Sequence, residues 1–300
     1  MQNRKHFLAA ITAFILWGFF SLALKPLRDY PSLDILFYRI FYAVLLLLCI
    51  NLTMRKKAVK ADYKMFRSLD PTQRKRVLAL TVGGGFLLVV NWYLFIYAIN
   101  HVSLKSASFA YLICPIVTTI LAYLILKERL TRWQWVAVGI SGVSCSLLGF
   151  ESAKDLAYSL VIATTFAFYL ITQRKNDQFD RFVILTVQMC IAAVVLLPMF
   201  PVMSGPLPTE PVFWEMLQYI VVFFTIVPLF LNLYALKGLN SATVGILMYL
   251  NPMIHFLLAV FYFRERVDQL EVAAYLLIVA SIVVFNARFL FGRWRTSTPS

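Results

Sequence analysis

"CPIVTTILAYLILKER" (114–129) and "NPMIHFLLAVFYFRER" (251–266) are one pattern written twice, 137 residues apart and without a gap. Pro115 pairs with Pro252, Lys127 with Arg264, Glu128 with Glu265 and Arg129 with Arg266. A proline inside an apolar run and a charged tripeptide at its end are costly features to keep in hydrocarbon, and keeping both twice points to an architecture built from two copies of one unit.

Composition names the solvent. The chain is 61% hydrophobic and 14% charged, with a mean hydropathy of +0.78, whereas soluble domains run at roughly 45–50% apolar and about 25% charged. Its apolar runs are about 18–22 residues long, the length a helix needs to cross roughly 30 Å of hydrocarbon. The ten-residue alternation of a membrane barrel is absent. Apolar runs predict ten spans, near 7–25, 34–54, 77–98, 104–126, 132–150, 155–172, 182–202, 213–236, 241–263 and 269–291. The longest connection is the basic stretch 55–76, which leaves no room for a soluble domain. Arg4 and Lys5 ahead of the first run resemble a secretion signal, but "ALKPLRDYP" after it lacks the small-residue cleavage pattern, so the run is read as a true span.

Basic residues set the orientation. With the N-terminus inside, 21 of the 28 Lys and Arg fall on the cytoplasmic side, which predicts that both termini are cytoplasmic. Topology and anionic headgroups account for the net charge of +14, and no nucleic-acid partner is expected. Cys49, Cys114, Cys145 and Cys190 all lie within predicted spans, so no disulfide and no metal site is expected.

Five predicted spans precede Glu151 and five follow it, giving units 1–151 and 152–300. An odd number per unit turns the second upside down, and inverted repeats are a hallmark of secondary transporters, whose solute binds near the midplane between the repeats. The fold expected is therefore all-α integral membrane, with ten transmembrane helices in two inverted five-helix repeats. Arg264 and Arg266 break the positive-inside trend, which says that the tripeptide does more than set topology. A carboxylate at a helix C-terminus is disfavoured by the macrodipole. Glu128 and Glu265 are accordingly expected to clasp a flanking arginine or the start of the following helix, tying span 4 to 5 and span 9 to 10.

Pro115 and Pro252 lie midway along spans 4 and 9, where each removes a helix hydrogen bond; such irregularity survives in a membrane only against protein or a wet cavity. Around the first, Lys105, Ser108, Tyr111 and Thr118 fall on one helix face. Around the second, Gly245, Tyr249 and His255 do so with Pro252 itself. Helix-to-helix contacts and a cavity wall both suit such stripes.

These features resemble the drug/metabolite transporter superfamily, EamA type. "ILWG", "FYRI", "GGGFLLVVNWYLFIYAIN" and "FAFYLITQRK" are similar to its RarD subgroup of bacterial inner-membrane permeases. The resemblance covers nearly the whole chain. It implies two inverted five-helix EamA repeats around a central cavity, a place in the bacterial inner membrane, and a permease or exporter acting by alternating access. The subgroup's association with chloramphenicol supplies an alternative reading as a drug efflux permease.

No carboxylate falls at the middle of a predicted span, which disfavours cationic drugs as substrates. Arg39 lies about five residues inside span 2. It faces the cavity, snorkels to the surface, or pairs with Asp34. A cavity-facing Arg39 calls for a carboxylate-bearing solute, with amino acids or related zwitterions and anions favoured. Asn91 and Trp92 offer an amide and an indole to a small amphipathic solute, although Trp92 equally suits a packing or lipid-facing role. Trp17, Tyr169 and Gln188 are further candidates, and His255, beside the second kink, suits either a group that titrates near neutral pH or a hydrogen-bonded structural residue. Gly83, Gly84 and Gly85 read as close-packing positions, since no P-loop lysine pattern follows them.

An enzyme in the membrane would need paired carboxylates or clustered histidines, and His6, His101 and His255 are far apart. A channel would show charge rings or filter repeats. Without an ATP-binding motif, no cofactor and no ATPase subunit is implied. The partners expected are the solute and the lipid bilayer, and a homodimer stays open.

Overall fold

The computed structural model describes residues 2–101, 104–148, 153–262, 264 and 268–291. Every regular element among them is helical. Helix α1 (Gln2–Gly18) runs into α2 (Phe20–Leu24) and a tight turn at Lys25–Leu27, and α3 (Ser32–Thr53) returns. Next come α4 (Lys56–Ser68), α5 (Pro71–His101), α6 (Leu104–Leu126) and α7 (Arg132–Leu148). The second half holds α8 (Ala153–Lys175), α9 (Arg181–Leu196), α10 (Phe200–Met203) and α11 (Pro211–Val221), then a wide-turn segment Val222–Ile226 leading into α12 (Val227–Gly238). Helices α13 (Ser241–Leu247), α14 (Leu250–Phe261) and α15 (Gln269–Phe291) complete the described chain.

Eight helical stretches among the described residues are long and apolar enough to cross a bilayer: Arg4–Leu27, Ser32–Thr53, Pro71–Ala98, Phe109–Leu126, Leu156–Lys175, Pro211–Gly238, Ser241–Leu258 and Gln269–Ala287. The other two predicted spans, 132–150 and 182–202, correspond to α7 and α9, helices of 17 and 16 residues. Large apolar side chains point outward in number, with Leu45 63%, Leu276 62% and Val194 70% exposed. Such a surface suits lipid, not water.

The basic stretch 55–76 is more ordered than a connection. Arg55 precedes α4, and Asp70 opens α5 by accepting the Gln73 N–H at 2.8 Å, with Pro71 at the first helical position. That "DPTQ" start signal carries α5 several residues further than its apolar run alone suggests.

Helix pairs are tied by polar contacts at close approaches. Ser141 and Ser281 lie 2.6 Å apart and Ser144 donates to the Ala274 carbonyl at 2.8 Å, joining α7 to α15. Asn51 donates to Thr186 at 2.6 Å between α3 and α9, and Asn176, just past the end of α8, to Thr81 of α5 at 2.9 Å. Helix α6 packs on α8 and α13, α5 on α8 and α9, and α1 on α12 and α14. The glycine triplet divides its work. A Cβ at Gly85 would come within 3.1 Å of the Gln188 carbonyl on α9, whereas Gly83 faces open space.

Proline explains one local distortion. Pro228 has no N–H for the Phe224 carbonyl one turn back. The indole of Trp17 fills that place, donating to Phe224 O at 3.1 Å, while the helix widens over Val222–Ile226 and Thr225 Oγ1 reaches back to Ile220 O at 3.1 Å. Trp17 is thus spent as a tie between α1 and the α11–α12 span.

Candidate functional site

Arg39 lies on α3 between aromatic rings of two other elements. Its guanidinium carbon is 4.4 Å from the Trp92 ring centroid on α5 and 5.3 Å from that of Phe20 on α2. Cation–π attraction grows as water is excluded, so two faces at this distance hold the group inside the bundle instead of letting it snorkel. Its Nε is shut off from solvent and has no hydrogen-bond partner among the described residues. Tyr111, on the same face of α6 as Pro115, lies within electrostatic reach and packs edge-on to Phe95 at 5.2 Å. A planar fork of donors between aromatic walls suits an acceptor attached to an apolar or aromatic body.

The expected alternative partner is engaged elsewhere. Asp34 is 2% exposed and accepts the Gly205 N–H at 3.0 and 3.3 Å, so its carboxylate closes the loop after α10 and makes no ion pair with Arg39. Glycine at 205 permits that approach, since a Cβ there would lie 2.9 Å from Asp34 Oδ2.

The remaining candidates fall into distinct places. Asn91 is buried and gives its amide to α8, donating to Ile162 O at 2.8 Å and Thr165 Oγ1 at 3.0 Å, which makes it a tie between helices. Tyr249 is fully buried where α13 ends, its hydroxyl beside Ser141. His255 is half-buried on α14 with no hydrogen-bond partner among the described residues. The side chains of Lys105 and Ser108 lie outside the described residues, as does Glu265. Thr118 is buried against Gly245, where a Cβ would come within 2.9 Å of the threonine methyl.

Tyr169 and Gln188 belong to a second cluster that sequence reading did not assemble. Tyr169 on α8 and Gln188 on α9 are both fully buried with unpaired polar atoms. They share the cluster with Gln173 and Arg181, the first unflagged and the second counted as a topology signal. "DR" at a helix start reads as a cap followed by a surface charge, and nothing local says that the arginine turns inward.

Glu128 corrects the expected clasp. Its carboxylate accepts from Ser241 N at 2.8 Å and Ala242 N at 3.1 Å, so it caps α13 and not the following helix α7. The reason is that α7 caps itself. Thr131 and Gln134 form a reciprocal box, Thr131 N–H to Gln134 Oε1 at 2.9 Å and Gln134 N–H to Thr131 Oγ1 at 3.3 Å. At α13, Asn240 serves only the Thr243 N–H, leaving the first two amides for the glutamate.

A bundle of long apolar helices, with an arginine held among aromatic rings as its candidate site, defines a multi-span helical membrane protein. The chain belongs to the EamA-like transporter family, whose model matches residues 4–150 and again 155–287. It is 29% identical to Protein RarD of Escherichia coli (strain K12), over 99% of this chain and 98% of that one. It is 28% identical to the uncharacterized transporter YojE of Bacillus subtilis (strain 168), over 100% and 98%, and 30% identical to an uncharacterized transporter of Vibrio cholerae serotype O1, over 94% and 92%. A crystal structure superposes with a TM-score of 0.75 over 98% of this chain and 99% of that one at 15% identity, a likeness of fold alone. The EamA-type, RarD-like resemblance read from the sequence therefore holds, and with it a general role in membrane transport.

Proposed function

We propose that this protein is a secondary transporter that moves small carboxylate-bearing metabolites, amino acids or related zwitterions foremost, by alternating access across a bacterial inner membrane. The observation that carries the reading is Arg39: a cation inside the bundle, held by Trp92 and Phe20, with no acid paired to it among the described residues. A guanidinium partly withdrawn from solvent inside a membrane bundle, without a carboxylate, is costly unless a ligand supplies one. Transport is driven by solute or ion gradients, without catalysis by the chain.

The architecture in this reading is ten spans in two inverted repeats, 1–151 and 152–300, with both termini cytoplasmic. Three observations support it. The family model matches twice in succession. Packing pairs recur with the halves exchanged: α6 on α8 answers α14 on α1, and α5 on α8 answers α12 on α1. Lys127 and Arg264, equivalent in the sequence repeat, both take a φ of 55°. Reporter fusions should place both termini inside, and an active external reporter at either end removes the arrangement.

Metabolite counterflow in proteoliposomes tests the solute class. Arg39→Lys keeps the charge and loses the fork, so flux of carboxylate solutes should fall by about tenfold or more, while neutral solutes are unaffected. Full activity on every carboxylate sinks the reading. The aromatic walls of Phe20 and Trp92 also suit a neutral aromatic drug such as chloramphenicol, and flux of that compound, insensitive to Arg39→Lys, would favour drug efflux instead.

A further inference from the structure

Arg181 opens α9 and is 2% exposed, an unusual depth for an arginine. Its Nη1 donates to Gln173 O at 3.1 Å and Asn176 O at 2.8 Å, carbonyls at the C-terminal end of α8, where a cation complements the helix dipole. That structural role uses one nitrogen. Nε and Nη2 are buried and unpaired, and these two form the straight edge of the guanidinium that grips both oxygens of a carboxylate.

Other unpaired groups are buried within about two turns of it along α8 and α9. Gln173 and Gln188 are fully buried, and neither side-chain amide has a partner for its nitrogen or its oxygen. Both amide nitrogens crowd one spot on α5, since a Cβ on Gly84 would lie 2.6 Å from Gln188 Nε2 and 2.7 Å from Gln173 Nε2. The Tyr169 hydroxyl, buried and unpaired, is within electrostatic reach of Arg181. Buried polar atoms are ordinarily satisfied, and leaving this many together costs stability that packing alone would not retain.

The neighbouring acids do not fill the need. Asp180 is committed to Phe182 N, Val183 N and Arg55, the last at 2.8 Å, and Asp177 acts on Arg181 at a distance without an ion pair among the described residues. Eight residues of α5, about 12 Å of helix, separate Gly84 from Trp92. The cluster thus lies along the bundle from Arg39, toward the cytoplasmic end in the orientation proposed above.

We propose that Arg181, Gln173, Gln188 and Tyr169 form a second carboxylate-binding station on the cytoplasmic side of Arg39, gripping the solute's anionic end through the guanidinium edge and the two amides. This rests on the transporter reading and adds a second stop to the path. A solute released by Arg39 then passes to an equivalent fork instead of crossing the rest of the bundle unpartnered.

Equilibrium binding to the purified full-length protein in detergent tests it, with radiolabelled L-phenylalanine, L-leucine and pyruvate as probes and their methyl esters as uncharged controls. Gln188→Leu is nearly isosteric and removes two unpaired polar atoms, so it should unfold at the same or a higher temperature. Carboxylate affinity should nevertheless drop by about tenfold, with the esters unaffected. Arg181→Lys should fail to bind the acids normally, because an ammonium lacks the fork. A raised unfolding temperature in Gln188→Leu with unchanged affinity for every acid overturns the station and leaves Arg39 standing. Loss in Gln188→Leu with none in Arg39→Gln supports the station and overturns the Arg39 reading. Absence of carboxylate binding by the wild type overturns both.

Discussion

The two copies of the proline motif end differently. Helix α6 runs unbroken from Leu104 to Leu126 with Pro115 in its interior, whereas the equivalent helix is divided at Met248 and Tyr249 into α13 and α14. The same residue at the same register therefore does not fix the outcome. Pro252 sits in the first turn of α14, where a missing N–H costs little, and the Met248 carbonyl it would have served takes the Asn251 N–H at 3.0 Å. In α6 Pro115 withholds its N–H from the Tyr111 carbonyl inside a helix that nevertheless continues to Leu126. The first copy is a continuous rod, the second a jointed one, and in the proposed transport reading the joint is a pivot between the repeats.

The largest effect should come from separating these prolines. Pro115→Ala restores an interior hydrogen bond and should stabilise the protein by about 2–3 kcal/mol, read as a raised unfolding midpoint in detergent. Pro252→Ala should change stability by under about 1 kcal/mol, because no interior bond is at stake. If the proposed transport cycle needs an irregular α6, Pro115→Ala should slow counterflow, and Pro252→Ala, which restores no interior bond, should slow it less. Equal stability changes would mean that the joint at Met248–Tyr249 is not what accommodates Pro252.

Glu128 gives the next test. Glu128→Ala removes two charge-assisted bonds to the amides of Ser241 and Ala242, worth about 2–3 kcal/mol together. Glu128→Gln, with one acceptor left, should lose about half as much. The second copy carries one arm of such a box, since Asp268 N–H meets Glu271 Oε2 at 3.3 Å where Thr131 and Gln134 stand in the first, while Asp268 Oδ1 takes the Gln269 N–H at 2.6 Å. Helix α15 therefore has no more use for a preceding glutamate than α7 does. If the halves are energetically alike, Glu265→Ala should cost as much as Glu128→Ala; a silent Glu265→Ala would show that only one clasp bears on stability.

Close approach of α13 to α6 supplies a smaller effect. Gly245→Ala drives a methyl to 2.9 Å from Thr118 and should destabilise by about 1–2 kcal/mol. Gly83→Ala, facing open space, should gain up to about 1 kcal/mol from helix propensity. A reversal of the two signs in thermal unfolding would put the tight contact elsewhere.

Much of this was legible because membrane helices leave broad signals. Apolar runs, the repeat and the glycine triplet all come from hydrocarbon length and helix packing, which sequence carries directly. Arg39 stood out because a cation inside an apolar run is rare. What stayed hidden depends on contacts distant in sequence. Asp34 looked like a partner for Arg39 until Gly205, 171 residues away, took it. Asn91 looked available until α8 claimed both of its donors. Arg181 read as a topology charge because its depth is set by α8 and α5, not by its neighbours in the chain. The capping box "TRWQ" was a local signal, and reading it would have sent Glu128 to another helix.

The smallest effect concerns the residue that opens the charged tripeptide. Lys127 and Arg264 are the non-glycine residues with positive φ among the described residues, each at 55°. At Lys127 the left-handed turn ends α6 and lets the Glu128 N–H return to Ala122 O at 3.2 Å while its carboxylate swings to α13. Left-handed backbone costs a non-glycine residue about 1–2 kcal/mol, and glycine escapes that cost while losing roughly half of the gain to its freer unfolded chain. Lys127→Gly should therefore stabilise by about 0.5–1 kcal/mol. Insertion should be unchanged, because in the proposed orientation many other basic residues share the side of Lys127. A lysine retained for charge alone predicts the opposite, no gain on Lys127→Gly and full equivalence of Lys127→Arg. The same substitution at Arg264 then asks whether the second copy of the turn is built on the same backbone strain, and a gain at one site only would mark the copy whose turn is relaxed by its surroundings.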